Sequence, residues 1–308
     1  MKIKAVAPAS SANLGPGFDV FGISLDLGFD AVEAEPEKEI IIEVTGIGSN
    51  TIPINPESNT AGLVAKKILG DYSIGGGIRL RIKKGVRPGS GLGSSAASAA
   101  ATVVALDKLF SLNLPKEKLV EIASVGEIAS AGVAHADNVA PAILGGFTIV
   151  RSYDPFDVIR IEPPRDLGFC VALPNIEIPT RAARSVLPKE LPMESVIRNL
   201  GNASSLVAGI LLNDFDMIGR SLEDQVAEPF RSRLIPGYDL VKRYAKEAGA
   251  LGTAISGSGP SMISFINVKA NVGREVTESM KRGFSEAGLD CDTFVSMPAR
   301  GAEVVEVG

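Results

Sequence analysis

The segment Pro88-Gly89-Ser90-Gly91-Leu92-Gly93-Ser94-Ser95 is rich in glycine and serine and runs directly into an alanine-rich stretch. A loop poor in Cβ atoms can turn its backbone amides inward, and a helix beginning near Ser94 would add its positive dipole end. Together they make an anion site suited to phosphate. No lysine follows the glycines where a Walker A loop requires one, and Ser94 takes the place of the third glycine of a dinucleotide fingerprint. A different class of nucleotide-binding protein is therefore expected, against the plainer reading of a flexible connector ahead of a helix. The charge pattern favours the ligand. From Tyr72 to Leu106 there is no Asp or Glu, while Arg79, Arg81, Lys83, Lys84 and Arg87 are present. This window is expected to supply the field for a polyanion.

Such a loop needs a strand to deliver it and a helix to receive it. Ile78-Arg79-Leu80-Arg81-Ile82 alternates strictly and predicts a half-exposed strand just before the loop. The helix after it is expected to run to about Phe110. Upstream, Ile3–Ala7 reads as a strand ended by Pro8, and strands are expected at Asp30–Ala34 and Glu39–Val44. Asn59 is a good N-cap for a helix that Gly70 would stop. Pro115 opens a helix running through Glu127, and a loop around His135–Pro141 leads to a strand at Gly146–Val150. The second half reads as a strand (169–173), helices (180 to about 222 and again after Pro236), two strands (253–256 and 261–266), a helix (270–287) and a last strand (292–297). With helices merged that order is βαββαβ, the split arrangement of ferredoxin-like domains.

At about 150 residues per domain, 308 residues suggest two. The Pro- and Asp-rich stretch Tyr153–Arg165 is the expected boundary, giving α+β domains at 1–160 and 161–308. A net charge of −5 argues against a dedicated nucleic-acid binder. Cys170 and Cys291 have no metal-ligand spacing and sit in apolar runs, so they are expected to be buried small hydrophobes in a reducing, cytoplasmic protein. The lone His135 disposes of His-rich metal sites. The first residues lack the apolar stretch of a signal peptide, and no apolar run approaches the ~20 residues of a membrane span.

Two more segments stand beside the glycine loop: Pro8-Ala9-Ser10-Ser11-Ala12-Asn13-Leu14-Gly15-Pro16-Gly17-Phe18-Asp19, and Gly252-Thr253-Ala254-Ile255-Ser256-Gly257-Ser258-Gly259-Pro260-Ser261. In this order and spacing the three resemble the GHMP kinase superfamily and, within it, the homoserine kinases. Gly132–Pro141, Thr180–Arg184 and Glu228–Arg231 match further stretches, and the resemblance runs from Lys2 to about Val307.

The resemblance implies an N-terminal domain like domain 2 of ribosomal protein S5, with a left-handed βαβ unit, and a ferredoxin-like C-terminal domain. It implies ATP-dependent phosphorylation of the side-chain hydroxyl of L-homoserine, in threonine biosynthesis. Pro88–Ser95 would hold the triphosphate, and Gly257, Ser258 and Gly259 would close over it. Ser95 and Glu127 would hold Mg²⁺. Arg184 and Arg231 would take the acceptor carboxylate and Asp19 its ammonium, with Asn13, His135, Asn138 and Thr180 around the rest of the molecule. Asn13, Ser95 and Glu127 would act closest to the transfer. No general base is expected from Asp19 or Asp137, so transfer would be direct. A homodimer is also implied. The alternatives are a sister kinase for mevalonate, shikimate or a sugar, and a non-catalytic nucleotide sensor on the same fold.

Overall fold

The computed structural model describes residues 1–308, the side chain at position 131 excepted. Its first element is a long antiparallel pair, β1 (Ile3–Asn13) and β2 (Gly17–Glu37). Pro8 does not end β1. The register shifts between Pro8 and Ala9, and proline is tolerated at such a bulge because its missing N–H breaks no regular ladder.

β3 (Ile41–Gly46), α1 (Thr60–Asp71) and β4 (Gly77–Lys84) form a βαβ unit whose strands are parallel neighbours. Asn59 caps α1, its Oδ1 accepting the N–H of Ala61 and Gly62 at 2.9 and 3.2 Å. Gly70 falls inside α1 rather than stopping it. β4 keeps the expected alternation, with Ile78, Leu80 and Ile82 buried, and extends it by one step to a buried Lys84. α2 (Ser94–Leu109) then packs on β1 and β2. Its alanines at 96, 97, 99, 100, 101 and 105 are all inaccessible to solvent. Only small side chains let a helix sit so close to a sheet on one side and to other helices on the other.

α3 (Lys116–Ser124) follows Pro115 and passes through a 3₁₀ turn, Val125–Glu127, into α4 (Ile128–Ala131). A short α5 (Val139–Leu144) stands where a loop was expected. Pro141 is in its first turn, where no N–H is needed. β5 (Phe147–Tyr153) and β6 (Phe156–Ile161) form a hairpin through Asp154-Pro155. The stretch read as a boundary thus begins with a strand of the first sheet.

The second unit is β7 (Leu167–Pro174), then helices α6 (Thr180–Ser185), α7 (Met193–Leu212), α8 (Phe215–Arg220), α9 (Glu228–Arg231) and α10 (Tyr238–Glu247). β8 (Gly252–Ile255), β9 (Met262–Asn267), α11 (Gly273–Glu286) and β10 (Cys291–Ser296) complete it. The sheet order β10-β7-β9-β8, antiparallel throughout, is the βαββαβ arrangement expected of a ferredoxin-like domain. A last strand was not anticipated. β11 (Glu303–Val307) returns to the first sheet and pairs with β1.

The units share a core. Leu14, Phe21 and Phe147 of the first pack in one cluster with Phe169, Leu206 and Phe265 of the second. Cys170 and Cys291 are free and buried, and burial pushes both thiols up to about 12. Among the described residues no helix is long and apolar enough to cross a membrane.

Candidate active site

A cavity of ≈ 300 Å³ opens between the two units, and all but two of the candidate site residues line it. The exceptions are Leu92 and Gly259. Leu92 points into the shared core, and its N–H is already donated to Ser90 Oγ at 3.2 Å, so it offers no amide to a phosphate. Gly259 gives its N–H to the carbonyl of Ser256 at 2.9 Å and supports the wall from behind. Its segment is both the turn between β8 and β9 and a cavity wall, through Gly257 and Ser258.

The two glycine loops touch. A Cβ on Gly91, whose φ is +79°, would lie 2.5 Å from the Ser256 carbonyl oxygen. Gly93, at φ +66°, is the N-cap of α2, and a Cβ there would meet Ser10 Oγ at 2.0 Å. Close approach and left-handed backbone together explain why this loop is built on glycine.

At the mouth of α2, Ser95 Oγ donates to Glu127 Oε2 at 2.9 Å, and Ser130 Oγ reaches the same oxygen at 3.2 Å. Glu127 Oε1 is buried with no hydrogen-bond partner. Burial pushes this carboxyl above its ordinary range, against the hydrogen bonds of Ser95 and Ser130 and the charge of Lys84. A buried, unpartnered carboxylate oxygen beside a hydroxyl fits a hard divalent cation that keeps most of its waters. Among the described residues no group of three or more His, Cys, Asp or Glu side chains gathers as a metal site.

Lys84 enters the sequence reading only as one cation of the basic window. Its Nζ binds the Asp30 carboxylate, the Ser94 carbonyl at 2.7 Å and Ser98 Oγ at 2.8 Å. Asp30 also accepts the N–H of Gly85 and Val86 at 3.0 and 3.1 Å. This buried cluster ties the glycine loop and the start of α2 to the sheet. A signal was available: Lys84 continues the inward phase of Ile78, Leu80 and Ile82, as Asp30 does that of Val32 and Ala34.

The charged window needs correcting. Arg79 pairs with Glu35, Glu37 and Glu43, and Arg81 with Glu35 and Glu43, the acids coming from the neighbouring strands β2 and β3. With Lys84 held by Asp30, most of the apparent positive field is neutralised across the sheet. A window of sequence contains one strand, whereas a strand's field includes its neighbours.

The other end of the cavity is built from ionised side chains. Arg184 Nη2 donates to both carboxylate oxygens of Asp19 at 2.9 Å, and His135 Nδ1 lies 3.9 Å from Asp19 Oδ1. Arg231 is 4% exposed, with Nε on the Ala183 carbonyl and Nη1 on the Gly257 carbonyl, each at 3.1 Å. Arg184 Nε and His135 Nε2 are buried without partners. Burial lowers the His135 pKa, so the imidazole favours its neutral form. Asn13 is occupied at both ends: Nδ2 donates to the Gly257 carbonyl at 2.7 Å and Oδ1 accepts the Asp19 N–H at 3.0 Å. It latches the β1–β2 turn to the loop of the second unit. Asn138 Oδ1 accepts from Ser10 Oγ at 2.9 Å, and Thr180 Oγ1 lies 3.4 Å from Ser258 Oγ.

Asp137 lies on the same wall, and burial together with the charges of Asp19 and Glu127 pushes its carboxyl up to about 7. Val44, Ile52, Pro53 and Ile82 give the opposite end an apolar wall that no motif in the sequence announced.

Comparison with known proteins fits this geometry. Residues 59–146 match the GHMP kinases N terminal domain family, and residues 206–282 match the GHMP kinases C terminal family. A homoserine kinase of Methanococcus maripaludis is 49% identical over 265 residues, covering 85% of this chain and 87% of that protein. Another from Methanococcus vannielii is 45% identical over 309 residues, covering 99% of each. The crystal structure of homoserine kinase from Cytophaga hutchinsonii superposes with a TM-score of 0.91 at 40% identity, covering 99% of this chain and 97% of that one.

Proposed function

The chain belongs to the homoserine kinases of the GHMP kinase superfamily, and from that premise we propose how its residues divide the work of phosphorylating L-homoserine at the expense of ATP. The product is O-phospho-L-homoserine, on the way to threonine.

The inward backbone of Gly89–Gly91 and Gly93–Ser95, with the N-terminus of α2, binds the phosphates. The apolar wall of Val44, Ile52, Pro53 and Ile82 takes the base. Ser95 Oγ and Glu127 hold Mg²⁺, which when bound neutralises charge on the phosphates. The acceptor is a zwitterion: its carboxylate goes to Arg184 and Arg231, its ammonium to Asp19. Asn138 and Thr180 flank its hydroxyl, and Asn13 fixes the loop that carries Gly257. Transfer is direct, driven by alignment and charge stabilisation rather than by a general base. Asp137, with its carboxyl at about 7, is where that reading is tested. A pH–rate step that vanishes in Asp137→Asn would overturn it.

The observation that carries the assignment is the pairing, in one cavity, of a glycine loop beside the unpartnered Glu127 Oε1 with the Asp19–Arg184 ion pair. Mevalonate and shikimate lack an ammonium for Asp19. Purified protein with Mg-ATP and a panel of hydroxylated acceptors, read as ADP release, tests the reading. Turnover is expected with L-homoserine and not with mevalonate or shikimate, and is expected to fall in Ser95→Ala and Glu127→Gln. ATP binding without turnover on any acceptor would favour a sensor, and turnover on mevalonate a sister kinase.

A further inference from the structure

Arg184 and Arg231 bring two guanidinium groups into one pocket. Asp19 meets Arg184 directly, but the hydrogen bonds of Arg231 go to carbonyls. Burial pulls Arg231 below its usual pKa, and the charge of Arg184 adds to the effect, while Asp19, Asp224 and Asp137 oppose it. The two like charges repel, so every contact that fixes their places counts.

The ring of Phe18 lies against both. The guanidinium carbon of Arg184 is 5.7 Å from the ring centroid and that of Arg231 is 5.2 Å. Phe18 immediately precedes Asp19, whose backbone sits at φ +57° and is held by Asn13 Oδ1. One short segment therefore presents a carboxylate to one arginine and an aromatic surface to both.

We infer that Phe18 is a positioning residue for the acceptor: its π system holds Arg184 and Arg231 at a fixed separation before the substrate carboxylate arrives. This rests on the assignment of the two arginines to that carboxylate. A cation near an aromatic face is attracted by the ring quadrupole, most strongly where water is excluded. One ring engaging two cations offsets part of their repulsion. It also removes the freedom that the side chains would otherwise lose on binding, which is the usual origin of preorganised affinity.

The test separates ring electrostatics from ring shape. Phe18→Leu keeps the site apolar and removes the π face; the KM for L-homoserine is expected to rise about tenfold, with the KM for ATP and the melting temperature unchanged. Phe18→Tyr is expected to rescue it. Replacing Phe18 with mono-, di- and trifluorophenylalanine keeps the shape and progressively drains the ring, and the L-homoserine KM is expected to climb with each fluorine. Arg184→Met and Arg231→Met are measured alongside. If those two raise the KM for L-homoserine while the fluorinated series is flat, or Tyr fails as Leu does, the role of Phe18 is wrong and the acceptor assignment stands. Should the arginine variants leave that KM unchanged, the acceptor assignment itself falls.

Discussion

The two ends of the cavity are made of different materials. At the end proposed for the nucleotide the lining offers main-chain groups, and the nearby cations are turned away: Lys84 to Asp30, Arg79 and Arg81 to the acids of β2 and β3. At the end proposed for the acceptor the lining is made of side chains, Asp19, Arg184, Arg231 and a neutral His135, and Arg184 and His135 each keep a buried nitrogen unpartnered. The difference matches the ligands proposed for the two ends. A triphosphate carries many oxygens and a metal, so amides and a helix dipole suffice. A small zwitterion must be told from its relatives, and opposite charges at fixed spacing do that.

The largest effect should come from one methyl group at the nucleotide end. Gly91→Ala puts a Cβ against the Ser256 carbonyl at a left-handed φ, where neither backbone can yield cheaply. We expect kcat/KM for ATP to fall about a hundredfold, with a lowered melting temperature. Loss of L-homoserine affinity with ATP affinity intact would break the division between the ends.

Asp137 stands where the two ends meet: burial is the main cause of its raised carboxyl, and the charges of Asp19 and Glu127 add to it. Its folded pKa of about 7 lies above the ordinary 3.8, so the folded state holds this proton more tightly than the unfolded chain does. The penalty is absent below about pH 4 and complete above about pH 7. Asp137→Asn should therefore stabilise the protein at pH 8 by as much as ~2–4 kcal/mol and leave it unchanged near pH 4, measured by urea unfolding. An equal change at both pH values would show that the site does not raise this carboxyl.

The smallest effect sharpens the contrast. Arg79→Gln with Arg81→Gln removes two of the five cations in the basic window but only solvent-facing ion pairs, which water and salt screen. The KM for ATP should move less than about twofold. A tenfold rise would return those arginines to the site.

What the sequence revealed depended on whether a signal was local. Asn59 capped its helix, the alternation of β4 held, and the three glycine segments meet at one cavity because each carries its own backbone requirement. Arg79 and Arg81 misled, since their partners lie on strands 36 to 46 residues upstream. β6 was hidden by Asp154-Pro155, where turn residues looked like a linker. β11 pairs on one side only and leaves most of its side chains in solvent, so no buried periodicity marks it. The Phe18 ring gave no sign of its two arginines, which come from distant helices.

The return of β11 has a mechanical consequence. The second unit leaves the first sheet after Ile161 and rejoins it at Glu303, so it hangs from two covalent tethers. A body on one tether can swivel; on two it can only rock about the line joining them, and here the shared phenylalanine cluster wedges even that axis. The Gly257–Gly259 loop is presented to the cavity by this braced frame, its Gly257 carbonyl held by both Asn13 and Arg231, like a latch set in a fixed jamb rather than a door on its hinge.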